Sequence, residues 1–228
     1  MTVKLESSIT DLMTSLAVVF IMLMLALAQN NARGSITKIE EISKQINQEL
    51  KQDDLSCVIK ADDPLACTIE VKEDKLKFPT GSYACDKSCE DFLEKIFIEH
   101  VLRILMNNKD FIQGVYIEGF TDDVGDDNAN LDLSQNRSLS IGTYVLNYYQ
   151  KNRAVQGEYQ ILLKWLYLIG RGEQDLKLNS RPTDNKEPPP DYISVNRDAS
   201  RRVEITIRVK SNEQRAAMAS KLKGLQKK

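Results

Sequence analysis

The chain has 228 residues, a formal net charge of −2 and a mean hydropathy of −0.37. Its length accommodates one membrane-spanning segment and one domain of roughly 150 residues. The near-neutral charge gives no support for nucleic-acid binding. No nucleophile–base arrangement is visible, and the lone His100 lies in an apolar helical pattern, so we expect neither catalytic residues nor enzymatic activity.

The first element in chain order is a strongly apolar segment from Ile9 to Ala28, preceded by residues 1–8. A helix of this length spans the ~30 Å hydrocarbon core of a bilayer. A cleaved signal peptide is the alternative, but the run is longer than the ~7–15 residues of a signal h-region. We predict an uncleaved transmembrane helix over residues 9–28, with residues 1–8 in the cytoplasm.

Asp11 is the single ionisable side chain of this segment. A charged carboxylate that faces lipid costs on the order of 3 kcal/mol or more. An acid in such a position is therefore a candidate for carrying an ion or for pairing with another helix. The alternative is an N-cap or interfacial residue, because Asp11 lies only a turn from the start of the segment.

A helical linker is predicted over residues 29–54. Apolar residues recur there at helical spacing, at Ile36, Ile39, Ile42, Ile46 and Leu50. The narrow stripe is typical of a short coiled coil with a second copy of the chain, or of a helix that lies on its own domain. About two heptads are too few to decide between these interpretations.

Residues 55–210 are predicted to form an α/β domain, an α+β sandwich with helices packed on a mixed four-stranded sheet. The predicted strands are Cys67–Val71, Gly114–Phe120, Trp165–Gly170 and Arg202–Val209. The predicted helices are Cys89–Met106 and Leu133–Tyr149, the second with Ser134 as its expected N-cap. Residues 211–228 are expected to be a basic, solvated tail.

The four cysteines form two close pairs, and such an even, clustered set is typical of an oxidising compartment. Disulfides Cys57–Cys67 and Cys85–Cys89 are the first choice, because each closes a short loop. Four cysteines allow two other connectivities, which the sequence does not exclude. The spacing is not a zinc signature, and we expect no metal site.

Two motifs of the predicted domain resemble the OmpA-like peptidoglycan-binding family. A strand ends in Gly119-Phe120-Thr121-Asp122, and the next helix contains Asn130-x-x-Leu133-Ser134-x-x-Arg137. The last strand of that family is matched by Arg202-Val203-Glu204-Ile205, and a Gly170-x-Gly172 motif precedes a long loop. The resemblance covers about Cys67 to Val209.

The resemblance implies a peptidoglycan ligand, the zwitterionic diaminopimelate of the wall peptide. Asp122 would accept from its ammonium group and Arg137 would bind its carboxylate, with Thr121, Asn130 and Leu133 supporting the site. A salt bridge between Asp122 and Arg137 that only ties the loop to the helix is the alternative.

An acidic cluster follows the predicted strand, at Asp122, Asp123, Asp126 and Asp127. It does not match an EF-hand loop. We therefore expect a solvated turn there rather than a calcium site.

The N-terminal segment resembles that of MotB-type stator subunits, in which a span begins with a motif that here reads Asp11-Leu12-Met13-Thr14. The resemblance implies a homodimer of this chain inside a pentamer of MotA-like multi-span membrane proteins. Asp11 would carry a proton, with sodium as the alternative ion, and no cofactor is implied. Thr14 and Ser15 would support Asp11 by hydrogen bonds.

Only ten residues precede Asp11, and together with the cysteine pairs this favours the ZorB-type subunits of Zorya anti-phage systems, whose partner is ZorA-like. A flagellar stator and a passive anchor between membrane and wall are the alternatives. All three place the chain in a bacterial inner membrane as a single-pass protein, with a cytoplasmic N-terminus and a periplasmic C-terminal domain.

Overall fold

The fold is given by a computed structural model, which describes residues 2–76, 78–79, 81–152, 155–179 and 195–225. The side chains of residues 2–11, 27–33 and 221–225 are not among those described. The chain forms two compact units, one of residues 1–38 with 210–228 and one of residues 39–209.

The first unit contains most of helix α1 (Thr2–Glu49) and the C-terminal helix α7 (Asn212–Leu225). Within it, the Ser35 hydroxyl donates to the Lys210 carbonyl oxygen at 3.0 Å. The segment expected to be a solvated tail is therefore helical over most of its length.

A run of large apolar side chains on α1 is exposed between Leu12, which is 70% exposed, and Leu25, which is 58% exposed. In the part of the chain that the structure describes, no helix is long and apolar enough to cross a membrane. The predicted span over residues 9–28 extends beyond the described side chains at both ends, and the side chain of Asp11 lies outside them.

The second unit is built on one mixed sheet of five strands, in the order β1-β2-β5-β3-β4. The strands are β1 (Cys57–Ile59), β2 (Ala66–Lys72), β3 (Ile112–Gly119), β4 (Leu166–Gly170) and β5 (Arg202–Val209). All neighbours are antiparallel except β3 and β4, which are parallel. Alternating buried residues of these strands form the core under the helices.

The predicted four-stranded sheet is wrong by one strand, because β1 was missed. β1 has only three residues and lies at the sheet edge, too short to show an alternating pattern. It is fixed to β2 by the Cys57–Cys67 disulfide, with a Cα–Cα distance of 5.3 Å. The second predicted disulfide, Cys85–Cys89, is also formed, so both predicted pairings are confirmed.

The first long helical segment of this unit matches the helix predicted over residues 89–106. It consists of α2 (Lys87–Phe92), a π-helical stretch (Leu93–Leu102) and α3 (Arg103–Asn107). Inside it, His100 Nδ1 lies 2.8 Å from Glu49 Oε2 at the end of α1.

The second long helix, α4 (Asp127–Lys151), begins six residues before the predicted start, and Ser134 is not its N-cap. Asp126 caps it instead, because its carboxylate accepts from the Asn128 and Ala129 N–H groups at 3.0 and 3.2 Å. The first turns are polar and show no apolar periodicity, so the pattern of the sequence did not reveal them. The described part of the unit also contains the short helices α5 (Tyr159–Trp165) and α6 (Arg197–Ser200) and 3-10 helices over Leu50–Asp53 and Gln156–Glu158.

The apolar stripe predicted for the linker packs largely against the chain's own core. Its last four members, Ile39, Ile42, Ile46 and Leu50, are 0% exposed and belong to the core of the second unit. Of the two interpretations, a helix lying on its own domain therefore describes this part of the stripe. These four side chains leave no apolar surface for a second copy.

We expect Ile46→Ala to lower the free energy of unfolding of the second unit by about 2–5 kcal/mol, because it leaves a cavity in a filled core. Urea unfolding of the full chain measures this, with the exposed Gln48→Ala as the control. The loss should be independent of protein concentration. A loss that shrinks at high concentration would mean that Ile46 packs against a second chain.

Candidate functional site

The loop that follows β3 is tied to both neighbouring strands. The Phe120 N–H donates to the Arg202 carbonyl oxygen at 2.9 Å, and the Thr121 N–H donates to that of Gly172 at 2.8 Å. Gly172 has φ +57°, a left-handed conformation that favours glycine. These bonds fix where the next residue, Asp122, leaves the sheet.

Asp122 has a defined orientation at this edge. Its Oδ1 accepts from the Val124 N–H at 3.2 Å and its Oδ2 accepts from Arg201 Nη1 at 2.7 Å. Its side chain is 14% exposed. The carboxylate is therefore held by a cation yet remains partly open to solvent.

The first turns of α4 lie against this loop. Asn130 is 5% exposed, and its amide donates to the Asp122 carbonyl oxygen and to Glu173 Oε2, both at 3.3 Å. Leu133 is half-buried one turn later. The structure thus gives Asn130 a positioning role, since it ties the helix to the backbone of Asp122.

Close contacts fasten α4 to the strand ends. Ser134 Oγ accepts from the Gly172 N–H at 2.9 Å, and Ser138 Oγ donates to the Ile169 carbonyl oxygen at 2.8 Å. A Cβ added at Gly119 would lie 2.5 Å from the Ser134 carbonyl oxygen, so only glycine permits this approach. The register of α4 on the sheet is therefore fixed, and with it the place of Arg137.

Arg137 is the buried cation of the site, with 5% of the residue exposed. Its Nε donates to the Ser82 carbonyl oxygen at 3.1 Å, and its guanidinium carbon lies 5.1 Å from the centre of the Phe78 ring. Nη2 is 3.8 Å from Glu73 Oε1. Burial lowers the pKa of Arg137, and the nearby Glu73 carboxylate opposes that shift.

Arg201 links Asp122 to Glu73, the carboxylate beside Arg137, and no local pattern in the sequence indicated it. Its guanidinium binds Asp122 at 2.7 Å and also binds Glu73 and Asp198. Hydrogen bonds to Asp122 and Glu73 raise its pKa. Because β5 runs antiparallel to β3, the residue before β5 lies beside the end of β3, and this was the signal that could have identified Arg201.

We call Glu73, Asp122, Arg137 and Arg201 the charge cluster. Among the described side chains, Asp122 binds Arg201 and Arg137 lies against Glu73, so the cluster is a chain of alternating charges. The direct Asp122–Arg137 salt bridge, which was the alternative interpretation, is not the arrangement found. A cleft of about 610 Å³ adjoins the outer side of the cluster and is lined by Lys72, Glu73, Asp74, Asn196, Asp198, Ala199 and Arg201.

The hydroxyl group of Thr121 is buried without a hydrogen bond to the described residues. The residue is 4% exposed, and its Oγ1 has no hydrogen-bond partner among the described residues. The structure places it directly before Asp122, as predicted, but shows no contact of its hydroxyl with the charge cluster.

The acidic residues of this turn make separate contacts and do not form one solvated cluster. Asp122 binds Arg201, Asp126 caps α4, and Asp123 binds Arg197 at 2.7 Å. The hydrogen bond from Arg197 lowers the pKa of Asp123. The described residues contain no group of three or more His, Cys, Asp or Glu that could hold a metal ion.

The residues predicted for the membrane segment belong to the first unit. Thr14 and Ser15 lie on exposed positions of α1. The side chain of Asp11 is outside those described, so its predicted role as an ion carrier stays a prediction.

Several solved structures are similar to parts of this chain. The periplasmic domain of Helicobacter pylori MotB is 18% identical, with 75% of this chain and 89% of that chain covered and a TM-score of 0.43. The OmpA-like domain of FopA1 from Francisella tularensis is 15% identical, with 68% and 81% covered and a TM-score of 0.39. The peptidoglycan-associated lipoprotein from Burkholderia pseudomallei is 14% identical, with 61% of this chain and 89% of that chain covered and a TM-score of 0.35.

A family match is found for residues 78–188, which match the OmpA family. The matched range includes the loop after β3 and all of α4. None of the curated protein sequences matches the chain. The chain therefore contains an OmpA-like domain, as its motifs predicted.

We expect Gly119→Ala to lower the free energy of unfolding by about 1–3 kcal/mol, because the new methyl group forces α4 away from β3. Gly157→Ala is the matched control, since a Cβ there meets nothing within 4 Å, and we expect it to change stability by less than about 0.5 kcal/mol. Chemical unfolding measures both. Equal effects of the two substitutions would contradict the close approach of α4 to Gly119.

Proposed function

We propose that the OmpA-like domain binds the diaminopimelate of peptidoglycan through Asp122 and Arg137. The observation that carries the proposal is the charge cluster, in which ion pairs bring the carboxylates of Glu73 and Asp122 together with the guanidinium groups of Arg137 and Arg201. A diaminopimelate centre carries an ammonium and a carboxylate on one carbon. A site for it needs an anion and a cation fixed a short distance apart.

The chemistry of the two groups fits these roles. Asp122 is oriented by the Val124 N–H and offers its carboxylate to the ligand's ammonium group. Arg137 is held by the Ser82 carbonyl oxygen through Nε, which leaves the terminal nitrogens to face a carboxylate in the planar geometry that arginine provides. Because Arg137 is nearly buried, its interaction with a carboxylate is screened less by water than that of a surface cation.

The N-terminal part of α1 supports a membrane location. Its run of exposed apolar side chains from Leu12 to Leu25 would be unfavourable in water. A bilayer that accepts residues 9–28 would cover this surface. The two disulfides fit an oxidising periplasm for the OmpA-like domain.

The same segment supports a motor role. Asp11-Leu12-Met13-Thr14 resembles the start of MotB-type spans, and α1 continues as one helix from this motif to the OmpA-like domain. We therefore propose a peptidoglycan-anchored stator subunit that works as a homodimer with a MotA-like pentamer, ZorA-like if the system is anti-phage defence. In this scheme Asp11 carries protons, each of which releases about 2.3 kcal/mol across 100 mV. A passive inner-membrane anchor would need the charge cluster but not Asp11.

For wall binding we expect Asp122→Asn and Arg137→Lys each to weaken binding of the full chain to purified sacculi by about tenfold or more. The first removes the charge that faces the ammonium group, and the second removes the planar fork while keeping the charge. The exposed Asp132→Asn on α4 is the control and should bind like the parent. Parent-like binding of both site variants would refute the wall-binding proposal.

For the motor role we expect Asp11→Asn to abolish ion-driven output, measured as phage protection or torque, because the amide cannot release a proton. Binding to sacculi and co-purification with the MotA-like partner should stay at parental levels. Glu6→Gln, an acid substitution outside the predicted span, is the control. Full output in the Asp11 variant would favour the passive anchor.

A further inference from the structure

The two predicted ligand-binding groups are engaged by groups of opposite charge from the same chain. Arg137 Nη2 lies 3.8 Å from Glu73 Oε1, and Asp122 Oδ2 accepts from Arg201 at 2.7 Å. Glu73 and Arg201 also bind each other. The chain thus supplies its own anion and cation at the two places where a zwitterionic ligand would put its carboxylate and its ammonium group.

The sheet register explains why these two residues meet. Lys72 at the end of β2 pairs with Arg202 at the start of β5, so the next positions outward are Glu73 and Arg201. The Glu73 N–H donates to the Arg201 carbonyl oxygen at 3.2 Å. The backbone of Glu73 is therefore fixed, and only its side chain can turn away.

Access from solvent separates the four groups into an outer and an inner pair. The side chains of Glu73 and Arg201 are 26% and 29% exposed, whereas those of Asp122 and Arg137 are 14% and 6% exposed. The cleft beside the cluster is lined by Glu73 and Arg201. A ligand that approaches from the cleft meets the outer pair first.

We propose that Glu73 is a specificity-determining residue, which competes with ligand carboxylates for Arg137 and thereby selects against carboxylates that lack an adjacent ammonium group. The inference rests on the proposed wall-binding function. A ligand carboxylate must displace the Glu73 side chain, which stays nearby because its backbone is fixed. The displaced Glu73 then attracts a ligand ammonium group and repels a ligand that brings negative charge alone.

The charges of the cluster also favour zwitterionic ligands over simple carboxylates. The four groups of the cluster sum to zero, the exposed Asp198 adds a further carboxylate on Arg201, and a zwitterion leaves the total unchanged. Replacing Glu73 by glutamine removes the carboxylate that lies beside Arg137. Simple carboxylates should then bind better, because they supply the missing charge.

The test compares two probes, meso-diaminopimelate and pimelate, which has the same carbon chain and carboxylates but no amino groups. Their dissociation constants for the full chain in detergent are measured by ligand-observed NMR. We expect Glu73→Gln to tighten pimelate binding by about threefold to tenfold, the effect of one partly screened charge nearby. The ratio of the dissociation constant of pimelate to that of diaminopimelate should fall by a similar factor.

Two further variants separate charge from shape. The charge-retaining Glu73→Asp should keep most of the parental ratio, and Glu99→Gln, which removes an exposed charge from the long helical segment, should keep all of it. An unchanged ratio in Glu73→Gln overturns the inference, and so does an equal loss of discrimination in Glu73→Asp and Glu73→Gln.

Failure of the inference differs from failure of the proposed function. If the parent binds diaminopimelate and Arg137→Lys weakens it while Glu73→Gln leaves the ratio unchanged, only the role of Glu73 is refuted. If the parent binds neither probe, wall recognition by this site is refuted, and the inference fails with it.

Discussion

The buried guanidinium group of Arg137 constrains how α4 packs within the OmpA-like domain. A cation removed from water is costly unless carbonyl oxygens, carboxylates or aromatic faces surround it. Arg137 obtains these from the single connection between β2 and α2, as the Glu73 carboxylate, the Phe78 ring and the Ser82 carbonyl oxygen. The tight contact of α4 with β3 at Gly119, and the bonds of α4 to the strand ends, keep the group at that place.

Local patterns in the sequence predicted the regular strand β5 and the two disulfides. The alternation of Arg202–Val209 predicted β5 with its observed bounds, and the close cysteine pairs predicted both disulfides. β1 was missed because three edge residues cannot show a period, and the start of α4 was missed because the Asp126 cap, not apolar spacing, determines it. The motifs predicted Asp122 on the loop after a strand and Arg137 on the following helix, and the structure has both at these positions, while their ligand-binding roles stay predictions.

What the sequence could not reveal is the pairing between distant segments. Glu73 and Arg201 are 128 positions apart, and only the β2–β5 register brings them together. The same register turns an expected Asp122–Arg137 pair into an alternating chain of four charges. Under the proposed wall-binding function, this arrangement links affinity to selectivity, because a ligand must exchange internal ion pairs for its own.

An experimental structure of the chain with bound meso-diaminopimelate would locate the ligand directly. We expect it at the charge cluster, with its carboxylate on Arg137, its ammonium group on Asp122 and the Glu73 side chain turned away from Arg137. A ligand bound elsewhere, with the Glu73–Arg137 and Arg201–Asp122 contacts intact, would contradict this expectation.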